Sequence, residues 1–186
     1  EVDNRQVNLG RVNLSVPERR DFFTIDSDLF QFGGISNMAG GNSASTGGSR
    51  ENARPYFSRK LGLAADGSPV DINYGGRVSG RVGRFNIGAL AIKQDQNAGV
   101  DASELLITRV SANVLDDSRI GFIYTDGDPT PHLDNHVAGV DFQYINHQLG
   151  NGRRLKSNVF FQQSDTTGLD GRQASYGFRL AHAPVG

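Results

Sequence analysis

The chain has 186 residues, with 19 Lys+Arg against 20 Asp+Glu and a formal net charge of −1. The length suffices for one domain with a core, and the balanced charge excludes a dedicated nucleic-acid binder, which would carry a strong basic excess. Cysteine is absent, which excludes disulfides and thiolate metal sites, while glycine, at 24 residues, stands well above its usual ~7% share.

The chain opens on Glu1 and closes on Ala183-Pro184-Val185-Gly186, and is expected to be an internal fragment of a longer protein. No run of ~18 apolar residues is present, so no transmembrane helix is predicted. A membrane β-barrel is not excluded, because its signal is alternation within segments of about ten residues.

Residues 1–34 hold short mixed runs. Val7, Leu9 and Arg11 alternate with Asn8, Gly10 and Val12, an imperfect strand pattern. Pro17-Glu18-Arg19-Arg20-Asp21 is the densest charge cluster. Residues 35–53 are rich in Gly, Ser and Asn, can bury little apolar surface, and are predicted to form a mobile loop. Residues 1–69 therefore read as a leading segment, and 70–186 as regular hairpins, within one partial β-barrel domain over 1–186.

From Val70 onward the pattern predicts seven strands, at 70–82, 85–94, 104–115, 120–125, 136–147, 154–164 and 173–182. Most exceed the ordinary strand average of ~5–6 residues and match the ~9–11 of a tilted membrane-spanning strand. The predicted connections alternate between tight and long: Gly83-Arg84, then QNAGVDAS, then Asp116 to Arg119, then DGDPTPHLDN, then LGNGR, then DTTGLDGR. Outer-membrane barrels alternate in this way, with short periplasmic turns and longer external loops. Gly83 before Arg84 suits a two-residue type II′ hairpin, whose first turn position needs φ > 0.

Side chains alternate faces along a strand. In 72–82, Ile72, Tyr74, Gly76, Val78, Gly80 and Val82 oppose Asn73, Gly75, Arg77, Ser79 and Arg81. Ala138, Val140, Phe142 and Tyr144 oppose Gly139, Asp141 and Gln143, and Ala174, Tyr176, Phe178 and Leu180 oppose Ser175, Gly177 and Arg179. The split is less clean in 104–115, where Leu105 and Ile107 share the face of Arg109, and 85–94 is ambiguous because Leu90 and Ile92 oppose Phe85 and Ile87. Either a soluble sheet with one face on a core or a membrane barrel with one face on lipid fits alternation alone. Strand length and loop alternation favour the barrel. Ile72, Tyr74, Val78, Val140, Phe142, Tyr176 and Phe178 are then the lipid-facing candidates, and Arg77, Arg81, Arg109, Asp141 and Arg179 the lumen-facing polar candidates.

The runs PERRDFFTIDSDLFQFGG (17–34), PYFSRKLGL (55–63), INYGGRVSGRVGRFNIGAL (72–90) and ITRVSANVLDDSRIGFIYTDG (107–127) together resemble the DUF5916 family. The resemblance runs through most of the chain and is strongest over 1–127. Phe85 departs from it, standing where the family usually has tryptophan, and Thr24-Ile25-Asp26 departs again. Members are bacterial proteins with an N-terminal family-9-like carbohydrate-binding module and a C-terminal outer-membrane-type β-barrel. The resemblance implies a place in the barrel and a bacterial outer-membrane location. It implies no reaction, since the family has none assigned.

Other motifs give less. Glu18, Arg19, Arg20 and Asp21 could bind an anionic ligand or lock the barrel, but a polar network fixing the leading segment to the wall is the simpler reading. His132 and His136 have helical metal-ligand spacing, yet Pro131 and the surrounding Asp and Asn argue for a solvated loop. Asp126-Gly127-Asp128 lacks the downstream Glu of a calcium loop, and GGRVSGRVG lacks the Gly-Lys-Ser/Thr end of a phosphate loop. No catalytic constellation, metal site or cofactor is predicted, and enzymatic activity is left open with the balance against it.

The expected fold is all-β, an antiparallel up-and-down meander forming part of an outer-membrane-type β-barrel, or standing as an open, curled sheet in this fragment. The expected partners are outer-membrane lipid and a small solute or glycan, with no nucleic acid. A soluble carbohydrate-binding sheet module, or the barrel part of a carbohydrate-active hydrolase, is the alternative; the hydrolase would need two facing carboxylates ~5–10 Å apart.

Overall fold

The structure is a computed structural model that describes residues 21–24, 27–33, 55, 61–62, 69–96, 101–127, 134–149, 153–171 and 173–184. The imperfect strand at 7–12, the Gly/Ser-rich loop at 35–53 and His132 lie outside the described residues.

The chain is all-β. Seven antiparallel strands follow one another as nearest neighbours in a single meander sheet: β1 (Ile72–Val82), β2 (Phe85–Gln94), β3 (Ser103–Val114), β4 (Ser118–Asp126), β5 (Asn135–Leu149), β6 (Arg153–Thr166) and β7 (Ala174–Pro184). The sheet is open, with β1 and β7 at its edges. Tight connections at 83–84, 115–117 and 150–152 lie at one end of the strands, and long ones at 95–102, 127–134 and 167–173 at the other. Gly83 has φ 58° and Arg84 is not among the positive-φ residues, the sign pattern of a type II′ turn. Leu115 turns the next hairpin at φ 55°, a left-handed conformation that strains a residue with a Cβ.

Element bounds differ from the sequence reading at every strand but β2, by one or two residues at β3 and β7 and more informatively at β4, β5, β6 and the start of β1. The strand expected at 120–125 spans Ser118–Asp126, because Arg119 and Asp126 pair with Gln143 and His136 on β5 even though their side chains break the apolar pattern. Strands β5 and β6 outrun their predicted lengths through polar ends that pair as far as Asn135 with Thr166. Val70 precedes β1 instead of starting it; its N–H donates to the Gly62 carbonyl at 2.9 Å and its side chain is buried.

The register joins the alternating faces into rows across the sheet. On the outer face one row runs Gly80, Ile87, Val110, Phe122, Val140, Phe161 and Tyr176, and the next runs Val82, Phe85, Ala112, Ile120, Phe142, Val159 and Phe178. The inner face carries the polar side chains but is not polar throughout. Leu90, Ile92, Leu105 and Ile107 on β2 and β3 form the core with Phe23, Phe30 and Leu61. Phe23 comes from a single helical turn, α1 (Asp21–Thr24), and Phe30 ends a 3₁₀ turn at Ser27–Phe30. These described residues of the leading segment are thus folded onto the inner face, which explains why β2 and β3 are apolar on both sides.

Candidate functional site

The inner face holds its covering segment through glycines. Phe30 lies over Gly88, where an added Cβ would stand 3.0 Å from the ring, and Phe32 over Gly139, where it would stand 2.7 Å away. Both glycines belong to the same cross-strand row, Gly88–Arg109–Ile123–Gly139–Gln162. The Phe160 ring, in turn, lies over Gly177 and against Gly33, and meets Phe32 edge-on at 5.8 Å. Glycine in a strand interior forgoes packing of its own, and here that space admits a large side chain from elsewhere.

Arg109 and Asp141 meet at the centre of this surface. They occupy neighbouring rows on β3 and β5, with Gly121 of β4 between them. The Arg109 guanidinium lies over Gly121, in the space a Cβ would fill, and its Nη2 reaches Asp141 Oδ1 at 2.6 Å. Arg109 is 3% exposed and Asp141 13%. Asp141 Oδ2 accepts the Gly33 N–H at 3.0 Å, Asn158 Nδ2 donates to the Gly33 carbonyl at 3.4 Å, and the Arg109 guanidinium stands 5.6 Å from the Phe32 ring centroid. Arg109 Nε and Nη1 make no hydrogen bond. The pair is therefore held by charge attraction in a dry setting and by the aromatic ring, and it anchors Phe32-Gly33 in return.

A second anchor lies near the β1 edge. Arg77 Nη1 donates to the Phe22 carbonyl at 2.7 Å, with the guanidinium 5.7 Å from the Phe22 ring centroid. At the long-connection end, Gln94, fully buried, accepts the Gly62 N–H at 2.6 Å and donates to Ser103 Oγ at 3.1 Å.

No family model, curated protein or solved structure matches this chain.

Arg77, Arg81, Arg109, Asp141 and Arg179 all occupy the inner face, but the structure gives them different surroundings. Arg109 and Asp141 are brought together beneath Phe32, Arg77 holds Phe22, Arg81 Nε donates to Asn86 Oδ1 at 2.9 Å, and Arg179 lies opposite Asn158. Of the charge cluster, Glu18, Arg19 and Arg20 lie outside the described residues, and only the backbone of Asp21, in α1, is described. On the outer face Tyr74, Val78, Val140, Tyr176 and Phe178 are exposed and Phe142 is half-buried. Ile72 leaves their rows: the register shifts between Ile72 and Tyr74, and sets Ile72 opposite Gln94 of the inner face.

Gly88, Gly121, Gly139 and Gly177 are positions to which the sequence assigns no role: alternation puts Gly139 and Gly177 on the polar face, but nothing in the pattern shows that a distant side chain fills the space above them. Gly139→Val is expected to expel Phe32 and make the Phe30–Gly33 stretch a preferred site of limited proteolysis, while Gly76→Val, at a glycine with nothing within 4 Å of its Cβ position, leaves the cleavage pattern unchanged.

Proposed function

We propose that this chain is wall of a bacterial outer-membrane β-barrel of the DUF5916 kind, whose inner face carries an inward-folded segment and meets a small solute. The observation that carries the reading is the uncovered outer face. Between Lys93, Glu104, Asp126 and Asp165 at the long-connection end and Arg84 and Arg153 at the tight-turn end, its described strand positions bear no Lys, Arg, Asp or Glu. Val78 is 71% exposed and Tyr176 82%, and no described residue covers either row. A belt of this extent exceeds what soluble monomers leave in water, whereas lipid is its natural solvent.

Strand length and the grouping of all tight turns at one end support the same reading. Six antiparallel steps leave β1 and β7 running in the same direction. An all-antiparallel barrel with an even strand count therefore needs an odd number of further strands between these edges. The solute is met from the inner face, where Phe22, Phe23, Phe30, Phe32 and Gly33 already occupy surface over β1–β3 and β5–β6.

The test is fractionation of the full-length protein from its host. Recovery in the outer-membrane fraction, with a folded band that shifts on heating in detergent electrophoresis, supports the proposal. Recovery in the soluble fraction overturns it in favour of a soluble sheet module whose apolar face is covered by other parts of the protein.

A further inference from the structure

The chain's near-zero net charge hides an uneven distribution. On the inner face, Arg77, Arg81, Arg109 and Arg179 are joined by Arg119, Arg154 and Lys156, and Asp141 is the sole carboxylate among the described strand positions. Asp141 is already taken by Arg109 and the Gly33 N–H. Of the other described carboxylate side chains, Glu104, Asp126 and Asp165 lie on the outer side, and Asp71, Asp95, Asp101, Asp116, Asp117, Asp134 and Asp170 lie outside the strands.

The register also gathers the cations. Arg119, Gln143, Asn158 and Arg179 stand side by side across β4–β7, with Lys156 one row and Arg154 two rows nearer the tight turns. This zone lies on the tight-turn side of Gly139 and Asp141, where Phe32 and Gly33 are seated. Arg119, Arg154 and Lys156 are half-buried. The Arg154 Nε is a buried donor without a hydrogen-bond partner, and Arg119 Nη2 makes only a long 3.4 Å contact with Gln143 Oε1. Guanidinium groups match carboxylate, sulfate and phosphate oxygens by shape as well as charge, and clustered charges of one sign raise the local concentration of counter-ions.

We infer that this part of the inner wall selects anions and takes a solute bearing carboxylate, sulfate or phosphate groups. The inference rests on the barrel reading and gives the solute its sign. Full-length protein inserted in planar lipid bilayers under a potassium chloride gradient is expected to pass chloride in preference to potassium. Arg119→Gln with Lys156→Gln moves the permeability ratio toward one by about twofold or more, whereas Arg84→Gln, in the tight turn off the inner face, leaves it unchanged. Inorganic phosphate reduces the chloride current of the unaltered protein and does so less in the double variant. Channels that prefer potassium, show no preference, or stay silent after confirmed insertion overturn this inference and leave the barrel standing. Failure of the protein to insert overturns both.

Discussion

Arg109→Met lowers the stability of the folded protein by about 3–5 kcal/mol, Asp141→Asn does the same, and the double variant recovers most of the loss. The reason lies in how the pair is buried. Arg109 is 3% exposed and Asp141 13%, so removing either partner strands the other charge away from water. Arg109 has two nitrogens without hydrogen bonds, so its stability depends on Asp141 and on the Phe32 ring. Asn in place of Asp141 retains an acceptor for the Gly33 N–H, which keeps the segment's anchor separate from the charge itself. Urea unfolding of the full chain, followed by circular dichroism, measures the cycle. Single losses below about 1 kcal/mol would mean the pair behaves as an exposed ion pair. A double variant whose loss equals the sum of the singles would mean the two charges do not depend on each other.

The same pair shows how far the sequence could be read. Alternation alone puts Arg109 and Asp141 on the polar face, where they lie. That they meet could not be read, because the meeting depends on register across three strands and on Gly121 leaving its space empty. Phe30 over Gly88 and Phe32 over Gly139 are hidden for the same reason: the partners are far apart in the chain, and neither residue type signals the other. The ambiguity of Leu90, Ile92, Leu105 and Ile107 was a real signal of a second apolar surface, since these residues pack under Phe23, Phe30 and Leu61. Strands with clean alternation, such as β1 and β7, were legible because one of their faces has no described covering and the period of two is undisturbed. The ends of β4, β5 and β6 were not, because backbone pairing carries them past the last apolar side chain.

Val140→Arg separates lipid from water as the solvent of the outer face. Val140 sits in the middle row, between Phe122 and Phe161, and is 50% exposed. If that face is wet, an arginine there projects into water and changes stability by no more than about 0.5 kcal/mol. If it faces hydrocarbon, the charge must be desolvated or must snorkel past the row of Ala138 to the level of His136, four residues along β5, and the loss at mid-depth is about 2–4 kcal/mol. Depth supplies the control. Tyr74 lies opposite Lys93, which pairs with Glu104 at 2.6 Å, so Tyr74→Arg enters a region that already carries charge and is expected to cost about 0–1 kcal/mol. Equilibrium folding of the full-length protein into lipid vesicles gives both values. A steep fall at Val140 with a shallow one at Tyr74 is the signature of a bilayer, because no aqueous surface grades the same substitution by its distance from a rim. Equal, small effects at both positions would place the belt against water and return the sheet to the soluble class.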